Sequence, residues 1–258
     1  GLLYVDPLPR PAAGALADLN ERTFYSETRR ALFAPYLRSQ DELARALERF
    51  VPPGRLLDIG CGAGHFLRAA ARRGWRAVGV DVAAAPRRED DPDLVEVHRA
   101  RLEDLDLGEA AFDAVNLSHV LEHLPDPRAA LLRARDHLRP GGLLAIGVPN
   151  PRSVVHWLRN ASYTLRGRLG RDRYSADLCP PQHLYAFPPR TLERALAELG
   201  FRVRRSFTAP FGDARLAAPF QLRYSGPSLR RGLELAVDAA ARPLGRCSLT
   251  FVYALKER

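Results

Sequence analysis

Leu56-Leu57-Asp58-Ile59-Gly60-Cys61-Gly62-Ala63-Gly64-His65 is the stretch that decides the fold. A short apolar run of strand type enters three glycines spaced two apart and leaves into a helical pattern running from His65 to Arg73. Glycine lets a chain turn sharply and lets a ligand approach the main chain. The first turn of the helix beyond carries N–H groups without intrahelical partners. Asp58, two residues ahead of Gly60, faces the loop, where a carboxylate suits a ligand with a cationic amino group. Asp81 ends the next strand, Ala77 to Val80. Adjacent parallel strands end side by side, so Asp81 should lie next to the loop and accept hydrogen bonds from two ribose hydroxyls. The dinucleotide-binding fingerprint would need glycine at position 65, which is His65. That substitution disfavours a nicotinamide-dependent oxidoreductase.

Outward from the loop the texture alternates. Leu94 to Val97, Phe112 to Leu117 and Leu143 to Val148 read as further strands. Pro127 to Leu138 reads as a helix ended by Arg139-Pro140-Gly141-Gly142. Thr191 to Leu199 is a helix stopped by Gly200, and Phe201 to Thr208 and Ser248 to Leu255 are the last two strands. Strands this apolar, separated by helices, imply an α/β fold with a doubly wound sheet covered on both faces. Ahead of the loop, Ala12 to Phe50 reads as two helices, the second capped by Ser39 or Asp41 and stopped by Pro52-Pro53-Gly54. The expected organisation is an N-terminal helical cap over residues 1–53 and a main domain over 54–258. Two insertions, 152–181 and 211–245, interrupt its second half; the second is partly helical around Leu229 to Ala241.

At 258 residues the chain can bury a full core without disulfides or a structural metal. Cys61, Cys179 and Cys247 are odd in number and scattered, which argues against a secreted disulfide framework and a cysteine zinc site. No apolar run reaches the ~18 residues of a membrane span, and the first residues do not read as a signal peptide. The expected location is the cytoplasm. The net charge is +9, and Lys256 is the only lysine among the 39 basic residues. Such a skew reads first as coding composition, yet a cationic surface still favours anionic partners.

These stretches resemble the class I S-adenosylmethionine-dependent methyltransferases. LLDIGCGAGHFL (56–67) is similar to their first motif and VGVDV (78–82) to their second. FDAVNLSHVLEHLPDPRAALLRARDHLRPGGLLAIGVPN (112–150) is similar to the fourth strand, following helix and fifth strand. PQHLYAFPPRTLERALAELGFRV (181–203) resembles a late block of the subgroup with quinone, polyketide and sugar O-methyltransferases. The resemblance covers roughly Gly54 to Val203 and the final strand. It implies a Rossmann-like, seven-stranded, mostly parallel sheet with the last strand antiparallel. It also implies S-adenosylmethionine as cofactor and S-adenosylhomocysteine as product. Carried over by position, Gly60 and Gly62 would contact the methionine part, with Asp58 near its amino group; Cys61 and Gly64 complete the cofactor-binding loop, and Cys61 is expected to pack inside it. Asp81 would hold the ribose, with Val82 against the adenine and Leu102 and Glu103 at its edge. Ser118 and His119 would lie beside the sulfonium. The family often has an acid at the position of Arg101, and this chain does not.

Methyl transfer from a sulfonium is an in-line displacement, helped by a base when the acceptor is a hydroxyl. Candidate bases are His119, His123 and His183. If helical, His119 and His123 share a face, as a metal site would need. Related metal sites have an acid where His119 stands, so no metal is expected and a hydrogen-bonded histidine pair is preferred. His183 follows the first insertion, where an acceptor should arrive. Arg152, Arg159, Arg166, Arg168, Arg171 and Arg173 are opposed in sequence by Asp172 alone and interleaved with Trp157, Leu158, Tyr163, Leu165 and Leu169. That mixture suits a lid over an amphiphilic or anionic acceptor, small or lipid-linked, or a peripheral membrane contact; a solvated arginine face weighs about equally. The resulting expectation is O-methylation of a quinone, glycan or polyketide type of metabolite. The rivals are an RNA methyltransferase, which +9 favours and the lack of an RNA-binding motif disfavours, and a non-catalytic S-adenosylmethionine-binding protein. The acceptor and the oligomeric state are not legible in the residues.

Overall fold

The computed structural model describes residues 3–4, 30–82, 92–104, 107, 111–165, 183–210 and 229–257. In chain order the elements are β1 (Leu3–Tyr4), α1 (Arg30–Leu47), β2 (Arg55–Ile59), α2 (His65–Ala71), β3 (Arg76–Asp81), β4 (Val95–Arg99) and β5 (Phe112–Ser118). They continue with α3 (Pro127–His137), β6 (Leu138–Pro149), α4 (Val154–Leu165), β7 (Tyr185–Ala186), α5 (Pro189–Glu198), β8 (Phe201–Ala209), α6 (Leu229–Ala240) and β9 (Leu249–Lys256). Seven strands form one sheet in the order β4-β3-β2-β5-β6-β9-β8. The first five are parallel, and β9 runs antiparallel to both neighbours. This is the doubly wound, mostly parallel sheet expected from the alternation of apolar strands and helices.

Each face of the sheet closes a separate apolar layer. On one face Leu43, Leu47, Phe66, Leu67 and Trp75 pack with Leu56, Ala114, Leu143 and Phe251. On the other, Leu131, Leu138, Leu192, Leu196 and Phe201 pack with Leu57, Val115, Leu144 and Val252. Leu56 and Leu57 alternate between the layers because successive strand residues face opposite sides. Truncating such a leucine to alanine costs on the order of 2–5 kcal/mol. The helix α3 starts at an Asp126 N-cap, whose carboxylate accepts from Ala129 N at 2.9 Å, with Pro127 next. Its last carbonyls receive Lys256 Nζ, which donates to Arg135 O and Leu138 O at 2.7 Å each.

The fold departs from the sequence expectations in two places. The first of the two N-terminal helices lies outside the described residues. The second begins at Arg30, so Ser39 and Asp41 sit mid-helix instead of capping it. Ser39 is buried there, and Asp41 pairs with Arg45 and Arg73. Arg139 to Gly142 does not separate helix from strand. β6 starts at Leu138 opposite Phe112, and its register shifts before Leu143 meets Ala114, so the segment is a bulge within the strand. Gly141 takes φ +75° there. The first insertion carries a helix, α4, which runs to Leu165. Among the described residues no helix is long and apolar enough to cross a membrane.

Candidate active site

The glycine loop sits at the carboxyl end of β2. Gly60 N donates to Val80 O at 2.7 Å and Cys61 N to the same oxygen at 3.3 Å, which folds the loop back over β3. Gly60, Gly62 and Gly64 take φ of 76°, 52° and 71°, backbone that L side chains rarely adopt. Their surroundings differ. A Cβ on Gly60 would lie 2.2 Å from Val120 Cγ2, whereas one on Gly62 would meet nothing within 4 Å. Gly60 is thus a close approach of two segments, and Gly62 borders open space that a ligand can enter. Cys61 points down, not out: its sulfur would be 2.7 Å from a Cβ on Gly79, so it packs against β3. Burial pushes its thiol pKa up, and the charges of Asp58 and Asp81 add to that.

Asp81 closes the loop from the side. Its Oδ2 accepts from Gly62 N at 2.9 Å, as the adjacency of parallel strand ends predicts. Ala100 N donates to Asp81 O at 3.2 Å, which continues the rim to β4. Beyond it, Val82 is exposed, and Leu102 and Glu103 lie in a 3-10 turn, Leu102–Asp104. Glu103 is engaged by Arg101, whose Nε donates to its Oε1 at 2.7 Å. The residue that departs from the family acid therefore holds its neighbour's carboxylate. The expected cofactor residues Gly60, Gly62, Gly64, Asp81, Val82, Leu102 and Glu103 line one continuous rim over the ends of β2, β3 and β4.

Asp58 lies beneath this rim with 4% of its surface exposed. Asn116 Nδ2 donates to its Oδ1 at 2.7 Å, and Ser118 Oγ donates to Asn116 Oδ1 at 3.2 Å. Burial pushes the Asp58 carboxyl up to about 7; the Asn116 bond opposes this and the charge of Asp81 adds to it. Asn116 is a residue the sequence reading missed. The signal was present: it is a polar residue inside the apolar run of β5, and it is the register partner of Asp58. A small cavity under α1 reaches Asn116 and Ser118 and is bounded by Leu43, Leu47, Phe251 and Tyr253.

The histidines meet just past the end of β5. His119 has φ 58°, the left-handed region, and its N–H donates to Gly147 O at 2.8 Å. Leu121–His123 then form a 3-10 turn. His119 and His123 consequently do not share an α-helical face, contrary to the conditional expectation. They converge instead on Glu122, which is 1% exposed. Glu122 Oε1 lies 3.5 Å from His119 Nδ1 and 3.9 Å from His123 Nε2. Burial pushes the Glu122 carboxyl up, but the His119 hydrogen bond and the charges of His123, His119 and His183 outweigh it and leave it at about 2.

His183 joins from a distant segment. Leu184 N donates to Glu122 O at 2.8 Å, and Tyr185 Oη donates to Pro125 O at 2.9 Å. β7 also pairs with β1, with Tyr4 opposite Tyr185. These ties bring the His183 ring to 4.9 Å from that of His123, edge to face at 66°. One donor atom from each of Glu122, His123 and His183 lies within 4.8 Å of the others. The sequence reading chose the three histidines but passed over the acid that gathers them.

The two insertions are linked. α4 packs on α6, and Arg159 reaches Glu234 through NH2–Oε2 at 2.7 Å and Nε–Oε1 at 3.3 Å. An acid opposing this arginine is thus supplied by the second insertion; Asp172 lies outside the described residues. Trp157 and Leu158 on α4 remain exposed at 61% and 43%. Arg166, Arg168, Arg171 and Arg173 lie outside the described residues.

A family model described as a methyltransferase domain matches residues 25–206. The ubiquinone biosynthesis O-methyltransferase of Hahella chejuensis is 34% identical over 129 residues, 46% of this chain and 54% of that protein. The protein of the same name from Cereibacter sphaeroides is 36% identical over 122 residues, 43% of this chain and 49% of its own. The chain spans about half the length of these curated relatives. Among solved structures, the Burkholderia thailandensis 1,6-didemethyltoxoflavin-N1-methyltransferase, bound to its acceptor and S-adenosylhomocysteine, has a TM-score of 0.61 at 18% identity. The match covers 100% of this chain and 95% of that one. The cyclase SpnF also shares the fold, with a TM-score of 0.56 at 21% identity over 84% of this chain and 80% of its own. The likeness in fold therefore does not choose the reaction, but the family model's match over residues 25–206, which takes in the glycine loop and its acidic partners, shows that the chain belongs to this methyltransferase-domain family.

Proposed function

We propose that the chain is an S-adenosylmethionine-dependent O-methyltransferase whose acceptor is a ring hydroxyl of a quinone-type metabolite, small or lipid-linked. The observation that carries the reading is the meeting of two half-sites at the end of β5. One is the open glycine loop with Asp81; the other is the cluster of His119, His123 and His183. Gly62 fits a ligand that approaches the main chain, since a Cβ there would fall in empty space. Asp81 fits a pair of hydroxyls, and Asp58 fits an ammonium group that would favour its ionised form. Bound there, the cofactor supplies an electrophilic methyl group and is released as S-adenosylhomocysteine. Val82, Leu102 and Glu103 would border its base, and Ser118 and His119 its reacting end.

The chain's own contribution is placement and proton removal. His183 would take the proton of the acceptor hydroxyl as the oxygen attacks, a role worth ~10²–10⁴-fold in rate. α4 and α6, joined through Arg159 and Glu234, would cover the acceptor and exclude water. The named activity of the curated relatives supports a quinone-type acceptor. The exposed Trp157 and Leu158 suit a lipid tail or a membrane surface, and the expected location remains cytoplasmic. Calorimetry should show S-adenosylmethionine and S-adenosylhomocysteine binding at ~1:1 with a raised melting temperature. Labelled methyl transfer to a panel of hydroquinones and catechols, with and without prenyl tails, tests the acceptor. Tight nicotinamide dinucleotide binding without adenosylmethionine binding would refute the reading.

A further inference from the structure

Among the described residues, Glu122 is the carboxylate that the histidine cluster surrounds. Its side chain is almost wholly excluded from solvent, and both its oxygens are sealed. The titratable groups acting on it are His119 and His123 from its own turn and His183 from the segment before β7. Its backbone oxygen receives Leu184 N, so one residue holds the His183 segment through the main chain and faces all three imidazoles through the side chain. A buried carboxylate is costly unless it is paired, and a fold that keeps one among three imidazoles ties its charge to theirs.

We propose that Glu122 is a positioning residue for proton removal at the acceptor site: facing His119 Nδ1 and His123 Nε2, it fixes which ring nitrogens carry protons and holds the His123–His183 pair in place. This rests on the O-methyltransferase reading above. Glu122 touches neither acceptor nor cofactor. With Glu122 Oε1 3.9 Å from His123 Nε2, the negative charge favours a proton on that nitrogen, so the ring edge of His123 against His183 is set and His183 faces the site in one orientation. When the acceptor O–H bond breaks, its proton would pass to the His183 imidazole and the oxygen's electron pair would form the new bond to the methyl carbon, while the carbon–sulfur pair would stay on sulfur and leave as S-adenosylhomocysteine. Glu122 opposes the imidazolium charge across the cluster, where the low local dielectric makes that opposition effective. The acid is thus a fixed negative charge facing the cluster that receives the proton.

The test uses long-range ¹⁵N–¹H spectra of the imidazoles in the full chain, with histidines assigned by single substitutions. In the unmodified protein His119 should carry its proton on Nδ1 and His123 on Nε2, each as one tautomer. Glu122→Gln, which keeps the shape but can donate as well as accept, should release them into tautomer mixtures. The same variant should lower kcat by ~10²-fold with KM and S-adenosylhomocysteine affinity little changed, and should move the acid limb of the pH profile to lower pH by ~1 unit. Glu122→Asp, which keeps the charge, should restore part of kcat. Should Glu122→Gln not fold, the unmodified protein decides: averaging tautomers at both His119 and His123 overturn the proposal. So does a change of their signals on adding EDTA, which would mean that a metal ion fills the cluster. Failure of S-adenosylhomocysteine to bind would count against the methyltransferase reading and leave the tautomer result to judge Glu122 on its own.

Discussion

Replacing Asp58 by asparagine should make the ligand-free protein more stable at alkaline pH and a weaker binder of its cofactor. A carboxyl that ionises near 3.8 in water is pushed up to about 7 in this site. Between those values the folded protein keeps the Asp58 proton while the unfolded chain has released it. Stability therefore falls as pH rises through that window and stays lower above it. At ~1.4 kcal/mol per pH unit the full separation corresponds to ~4 kcal/mol, and relaxation around a real buried group brings this to ~2–4 kcal/mol. Asparagine escapes this cost because it has no proton to lose, and its oxygen can still accept from Asn116 Nδ2. Thermal unfolding at pH 8 should put the variant ~5–15 °C above the unmodified protein. At pH 4 the two should differ by under ~1 kcal/mol, since neither state is then fully ionised. Calorimetry at pH 8 should show cofactor affinity lowered by ~1.5–3 kcal/mol, the range for a hydrogen bond to a charged group. A stability difference that does not grow between pH 4 and pH 7 would refute the account of Asp58 as a buried, proton-retaining acid.

Asp81→Ala should weaken cofactor binding by ~1.5–3 kcal/mol in a calorimetric titration, and an unchanged affinity would remove Asp81 from the site. Gly60→Ala and Gly62→Ala should separate structure from binding. The Gly60 Cβ meets Val120 Cγ2 at 2.2 Å, so that variant should lose stability by ~1–3 kcal/mol in urea unfolding. The Gly62 variant should lose ~1 kcal/mol of stability and much more of its cofactor affinity, because its methyl group would stand where the ligand enters. His183→Ala should lower kcat by ~10²–10⁴-fold in the methyl-transfer assay with cofactor affinity intact. A loss confined to KM would make His183 a binding residue and not a base. Arg159→Ala should cost no more than ~1 kcal/mol of stability, because the pair with Glu234 is partly exposed; a larger loss would mean that the insertions depend on that link to fold.

The parallel part of the sheet was readable because each strand is a short apolar run bounded by polar or glycine-containing turns, and because Gly60, Gly62 and Gly64 punctuate one strand end. Asp81 was placed correctly by a rule of topology, the adjacency of parallel strand ends. The errors have local causes. Ser39 and Asp41 look like helix caps, yet cap residues survive mid-helix when packing buries them or ion pairs engage them. Arg139-Pro140-Gly141-Gly142 has the composition of a turn, and only the register across β5 and β6 reveals a bulge. Asn116 and Glu122 escaped for a shared reason. Each meets a partner distant in sequence, Asn116 through Asp58 and Glu122 through the main chain of Leu184 beside His183, and periodicity along one element does not report a contact between two.

β5 gives the two half-sites a mechanical connection. Asn116 props the carboxyl of Asp58 under the glycine loop, Ser118 donates to Asn116, and His119 follows directly in left-handed backbone pinned to Gly147 O. The loop is locked to the same turn from the other side, since Gly60 leaves no room for a side chain against Val120. A ligand that draws the Asp58 carboxylate toward an ammonium group must therefore pull on Asn116 and on the strand end that launches the histidine turn. The parallel strand edge is stiff, being hydrogen-bonded on both sides to β2 and β6. Displacement is then passed along it to Glu122 more readily than it is absorbed. Filling of the cofactor half should be felt at His123 and His183 before any acceptor arrives. Imidazole chemical shifts of those two residues should respond to S-adenosylhomocysteine in the unmodified protein and respond less in Asn116→Ala, where the prop is cut. Equal responses in the two proteins would mean that the half-sites are filled independently.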